Sequence, residues 1–139
     1  IFMKKKDIIF VNDSKATTFK AASAAIAGLK NIFWILGGLP KKGDKINLLK
    51  YKKNIIKCYI VGNHINFFKN QIKREVDFSV SKNLRNAISQ IINDYKILGV
   101  KNSCILFSPA AASFDQFKNF EIRGKKFKKF CKLYARKFA

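Results

Sequence analysis

Three stretches of the chain gather residues that could do chemistry. In the first, Asn12, Asp13, Ser14, Lys15, Ala16 and Thr17 follow directly on the apolar run Ile8, Ile9, Phe10, Val11. They crowd hydroxyl, amide and carboxylate groups around one cation, a set able to hold an anion through charge-assisted hydrogen bonds. Helix N-capping by Asp13, Ser14 or Thr17 is the simpler use of the same residues. In the second, Gly37-Gly38-Leu39-Pro40-Lys41-Lys42-Gly43-Asp44, glycines let backbone approach a ligand and lysines offer charge, although a surface turn has the same composition. The G-x-x-x-x-G-K-[ST] spacing occurs nowhere in the chain, so no independent triphosphate cradle is encoded. The third runs from Ser108 to Gly124. Its small residues lead to Ser113 at an expected helix start, where a hydroxyl and open backbone N–H groups would seat a carboxylate. Ser113 as a nucleophile is the weaker idea, because the only histidine, His64, falls in a different loop and reads as a surface residue.

The elements that must position these stretches alternate along the chain. Ile8 to Val11 reads as a strand buried on both faces. Alanine-rich Lys20 to Leu29 reads as a helix, and Ile32 to Leu36 as a second strand stopped by Gly37 and Gly38. Ile55 to Val61 is a third strand, Ile65 to Ile72 a helix, and Val76 to Val80 a short fourth strand. Ser81 is expected to cap a long helix, because Leu84, Ala87, Ile88, Ile91, Ile92 and Tyr95 recur at steps of three and four; Gly99 ends it. Ser103 to Phe107 is a fifth strand, broken by Pro109. From Phe120 onward, Phe127, Phe130, Cys131, Tyr134 and Phe138 share one face of a terminal amphipathic helix, which packing against a sheet explains more simply than a membrane does. The pattern predicts an α/β domain with a Rossmann-like, mostly parallel sheet flanked by helices, in which a ligand sits outside the carboxyl ends of the strands.

Composition narrows the function classes. With 139 residues, 48% of them hydrophobic, the chain can build the core of one domain spanning 1–139. A formal charge of +21 would attract nucleic acid or anionic membranes, but the 29 basic residues are spread over nearly every segment, which favours a solvated lysine surface. Cys58, Cys104 and Cys131 are widely spaced, suggesting buried reduced thiols rather than a disulfide framework or a zinc site. The apolar runs are too short for the ~20 residues a membrane-spanning helix needs, and no signal peptide is visible, so a cytoplasmic protein is expected. The chain starts at Ile1 with a strand-like segment close behind, which reads as a domain boundary.

The strings NDSKAT, WILGG with the lysine loop after it, and SPAAASFDQFKNFEIRG resemble the signature stretches of the C-terminal domain of the D-glutamate-adding Mur ligases, in matching order and separation. The resemblance covers essentially the whole chain. It departs at Thr18, where the family usually has asparagine, and at Ala111, where it often has cysteine. It implies a part in peptidoglycan precursor synthesis. ATP, with Mg2+, phosphorylates the carboxylate of UDP-N-acetylmuramoyl-L-alanine, and the amine of D-glutamate attacks the acyl phosphate. It also implies that Lys15, Thr17, Lys41, Ser113, Phe114 and Phe120 line the D-glutamate site and that Asp13 faces the nucleotide. N-terminal UDP-binding and central ATP-binding domains would lie outside this chain, leaving it without catalytic or metal-ligating residues and inactive alone. A basic nucleic-acid-binding module and an idle remnant of a ligase are the competing expectations.

Overall fold

The computed structural model describes residues 1–113 and 118–138. They form one six-stranded sheet in the order β1-β2-β6-β3-β4-β5, with β1 (Met3–Lys5), β2 (Ile8–Asn12), β3 (Ile32–Gly37), β4 (Ile55–Val61), β5 (Phe78–Lys82) and β6 (Cys104–Phe107). All neighbours pair in parallel except β1, which runs antiparallel to β2 with Met3 opposite Phe10. The sheet is thus mostly parallel, as expected. The edge strand β1 escaped the sequence reading because Met3-Lys4-Lys5 carries no apolar run; its lysines suit an edge that must not pair further.

Two apolar layers cover the sheet, and the period-two alternation of the strands assigns them. Ile32, Trp34 and Leu36 of β3 join Cys58, Ile60 and Leu106 on one face. There they meet α1 (Phe19–Ala27), α2 (Leu48–Tyr51) and α3 (Ile65–Ile72) through Phe19, Ala22, Ile26, Leu48, Phe68 and Ile72. Phe33 and Ile35 point the other way, with Tyr59, Ile105 and Phe107, into α4 (Leu84–Leu98) and α5 (Phe120–Tyr134). Within that layer Phe107 and Phe127 lie 4.9 Å apart, and Phe2 meets Phe127 edge-on at 5.7 Å. The terminal helix therefore spends its apolar stripe on the sheet, through Phe127 and Cys131 with Phe130 and Tyr134 beside them; the side chain of Phe138 is outside the described ones.

The largest departures from expectation are at β5 and the cap of α4; α1 also closes at Ala27 rather than Leu29, β6 starts at Cys104 rather than Ser103, and the short α2 was not anticipated. Val76 still donates its N–H to Ile72 in the turn that closes α3, so β5 starts at Phe78 and continues to Lys82. Ser81 consequently lies in a strand, buried, with its hydroxyl on Gln90, and Asn83 caps α4 by accepting the Asn86 N–H at 2.8 Å. Among the described residues no helix is long and apolar enough to cross a membrane. The three cysteines are free and buried, and burial pushes every thiol up, Cys104 to about 12.

Candidate functional site

β6 lies between β2 and β3, so the loops that follow these three strands leave the sheet side by side. Strand order reverses here: the chain steps outward from β3 to β4 to β5 and then returns to insert β6. Such a reversal opens a crevice at the carboxyl edge of an α/β sheet.

Short hydrogen bonds lock the three loops to one another. Asp13 N–H donates to the Phe107 carbonyl at 2.8 Å, and the Ser108 hydroxyl donates to Asp13 Oδ2 at 2.7 Å. Trp34 Nε1 reaches the Ser108 carbonyl at 2.8 Å from beneath, and Gly37 N–H reaches Pro109 at 2.9 Å. Ala110 then takes a positive φ of 57°, turning the chain so that Ala112 and Leu39 exchange backbone hydrogen bonds of 2.9 and 2.8 Å. Close approach explains the glycine at position 38: with φ at +136°, a Cβ there would stand 2.4 Å from the Ala112 carbonyl oxygen.

The lysine loop is tied to the first loop through α1. Thr18 caps this helix by accepting the Ala21 N–H at 3.2 Å, so neither Asp13, Ser14 nor Thr17 serves as the cap. Threonine is among the residues suited to this capping role. Asp44 accepts the Phe19 N–H at 2.8 Å and closes a turn on the Lys41 carbonyl at 3.0 Å. Lys41 is thereby held near the start of α1, a few residues after Thr17.

Beneath the loops sits Arg123, from the first turn of α5 and only 2% exposed. Its Nη2 donates to the carbonyls of Ser14 and Ala111, each at 2.8 Å, and its guanidinium lies 5.8 Å from the Phe107 ring centroid. Gly124 beside it is bare for the same reason: a Cβ would stand 2.4 Å from Ser14 Oγ.

The structure thus gathers the sequence-derived site residues at one edge. Lys15 and Thr17 are exposed on the first loop, Lys41 is exposed on the second, and Ser113 is buried on the third. Phe120, 40% exposed, opens α5, whose cap is Asn119 accepting the Ile122 N–H at 2.9 Å. Phe114 lies outside the described residues. Asp13 is half-buried and engaged by Ser108. His64 stands exposed after β4, before α3, on a different loop. Sequence reasoning did not single out Ser108, Arg123 or Gly124, although all three fall within the third string. The local signal was an arginine next to a glycine on the inward side of an amphipathic helix. Among the described residues no His, Cys, Asp or Glu cluster could hold a metal ion.

The arrangement offers exposed cations and a buried hydroxyl on braced loops, which suits holding a small anion; among the described residues it supplies neither a nucleophile with its base nor a phosphate cradle. No family model matches the chain. It is 42% identical over 120 residues to the UDP-N-acetylmuramoylalanine–D-glutamate ligase of Rhodopseudomonas palustris, spanning 86% of this chain and 26% of that protein. It is 40% identical over 124 residues to the ligase of the same name from Bartonella henselae, spanning 89% and 27% respectively. The corresponding ligase of Rhizobium meliloti is 39% identical over 124 residues, again 89% and 27%. These ligases are homologues of the chain and match it through a C-terminal domain; the chain spans about a quarter of their length.

Proposed function

We propose that the chain is the amino-acid-holding domain of a cytoplasmic ligase that joins D-glutamate to UDP-N-acetylmuramoyl-L-alanine in peptidoglycan precursor synthesis. The observation that carries this reading is the convergence of Lys15, Thr17, Lys41 and Ser113 on three mutually braced loops at the carboxyl edge of the sheet. D-glutamate brings two carboxylates; two ammonium groups and two hydroxyls can meet both with charge-assisted bonds. Phe120 would shield the aliphatic stem.

ATP, held with Mg2+ by the rest of the ligase, would supply the phosphoryl group that activates the muramoyl-alanine carboxylate. The residues of this chain do not fit a nucleotide site of their own, because the phosphate-cradling spacing is absent and Asp13 already accepts the Ser108 hydroxyl. Asp13 would at most face a nucleotide bound elsewhere. What the domain contributes is placement: it holds the amine of D-glutamate in line with the activated carbonyl, converting an encounter into an oriented reaction. Closure of the domain onto its partner domains would complete the site.

Titration of the chain with D-glutamate, followed by amide NMR, tests the reading. Shifts should concentrate at Lys15, Thr17, Lys41 and Ser113, L-glutamate should produce smaller ones, and Lys41→Ala should weaken binding about tenfold, the cost of one charge-assisted bond. Absence of any response at these amides, or equal responses to both enantiomers, would overturn it.

A further inference from the structure

We infer that Arg123 is a positioning residue of the candidate site, acting from beneath the loops to aim their backbone donors at a bound carboxylate. The inference rests on the reading of this edge as a D-glutamate site and assigns a role to a residue that touches no ligand there.

Arg123 is the only charged residue among the buried ones described, and a buried guanidinium without good partners would be costly. Its Nη2 bonds two carbonyls from different loops, Ser14 and Ala111, at 2.8 Å each. Peptide planarity converts this grip into orientation, because the C=O and the following N–H of a trans peptide point in opposite directions. Drawing the Ala111 carbonyl inward turns the Ala112 N–H away from the guanidinium, and that N–H bonds Leu39 at 2.9 Å, fixing the start of the lysine loop. Drawing the Ser14 carbonyl inward turns the Lys15 N–H away from the interior, on the side where the Lys15 side chain is exposed. A single planar group thus sets the register of two loops and, through the Leu39–Ala112 pair, of the third.

The neighbouring glycines fit this role. A Cβ on Gly38 would come within 3.2 Å of Arg123 Nη1, and one on Gly124 would push into Ser14 Oγ at 2.4 Å. The lysine-loop backbone thus crowds the guanidinium, and α5 packs its Gly124 against the first loop that the guanidinium holds.

Arg123→Met keeps the length and apolar stem of the side chain, while Arg123→Lys keeps the charge without the fork. Both are compared with the unsubstituted chain by D-glutamate titration and by amide hydrogen exchange. The Met variant should retain protected amides in β3 and β6, lose protection at Leu39 and Ala112, and bind D-glutamate about tenfold more weakly, the size of one lost charge-assisted donor. The Lys variant should recover part of the affinity. A purely structural role would lower the melting temperature and leave the affinity unchanged; that result, or unchanged exchange at Leu39 and Ala112, overturns the inference. If the Met variant does not fold, a Lys variant binding as tightly as the unsubstituted chain overturns it as well. If the unsubstituted chain shows no response to D-glutamate, the functional reading fails, and the exchange comparison still decides whether Arg123 sets the loops.

Discussion

Substitution of Gly38 by alanine probes whether the loop bracing is a rigid floor or an incidental contact. Two costs can be read from the geometry. At φ +136° an L side chain is strained, worth roughly 1–3 kcal/mol in sparsely populated backbone regions. The new Cβ would also stand 2.4 Å from the Ala112 carbonyl oxygen, a backbone atom that cannot rotate aside. To restore ordinary contact, residue 112 must retreat from Leu39, loosening two hydrogen bonds of 2.8 and 2.9 Å, each worth about 0.5–1.5 kcal/mol net. The combined loss is about 2–6 kcal/mol, a large share of the roughly 5–15 kcal/mol that holds a domain together. For a chain of this size it lowers the melting temperature by roughly 6–20 °C. Differential scanning calorimetry gives the shift, and amide spectra show where it acts. Changes should centre on residues 36–41, 108–113 and 123, with α3 and α4 undisturbed. A melting temperature within about 2 °C of the original, with unaltered Leu39 and Ala112 amides, would refute the claim that close packing of these backbones shapes the site.

Trp34→Phe removes the Nε1 donor from the Ser108 carbonyl and some volume from a fully buried position; the lost bond and the void together should cost about 2–4 kcal/mol in urea unfolding. A loss below about 0.5 kcal/mol would show that the carbonyl finds another partner. Alkaline pH should destabilise the fold. The folded chain keeps Cys58, Cys104 and Cys131 protonated above the ordinary thiol value of 9.0, whereas the unfolded chain releases those protons. This contribution is therefore complete below pH 9 and is lost as pH rises toward about 12 for Cys104, each thiol removing up to ~1.4 kcal/mol per pH unit. A urea midpoint equal at pH 8 and pH 10.5 would contradict it.

How much of this was legible in the sequence depends on whether a feature is local. Ile65–Ile72 and Ile55–Val61 were bounded as found, because apolar periodicity and flanking polar or glycine residues specify them without reference to the rest of the chain. The three loops were found for the same reason: strand ends are local, and parallel strands place their carboxyl ends together. The caps were harder. Ser81, Asn83, Asp13, Thr17 and Thr18 are all competent capping residues, and what selected Asn83 and Thr18 was how far β5 ran and how the first loop was tied down. Arg123 left only a faint local signal, its place on the inward side of α5, since an arginine in a lysine-rich amphipathic helix ordinarily reads as solvated. Its burial follows from two carbonyls presented by segments 109 and 12 positions away along the chain.

A comparison within the molecule shows why bracing, rather than positive charge, marks the site. At the opposite end of the sheet Lys4, Lys6 and Lys30 line a depression of about 440 Å³ together with Asp7 and Asn102. In it the one carboxylate is committed to structure, accepting the Asn102 N–H at 2.8 Å and the Tyr95 hydroxyl at 3.4 Å, and the lysines sit on β1, on the turn after it and on the loop after α1, which no buried cation among the described residues links. In a chain with 29 basic residues such clusters arise by abundance. Exposed lysines alone bind anions weakly, because water and salt compete for each charge and each flexible side chain loses entropy on docking. The carboxyl edge differs in that the described parts of its loops are braced without any ligand: Ser108, Trp34, Asp44 and Arg123 hold them in place. The ordering cost that would otherwise be charged to binding is already met by folding. On the proposed reading, a dicarboxylate arriving there would meet loops already braced by folding, so cations that contribute little elsewhere on this surface would contribute more at this edge.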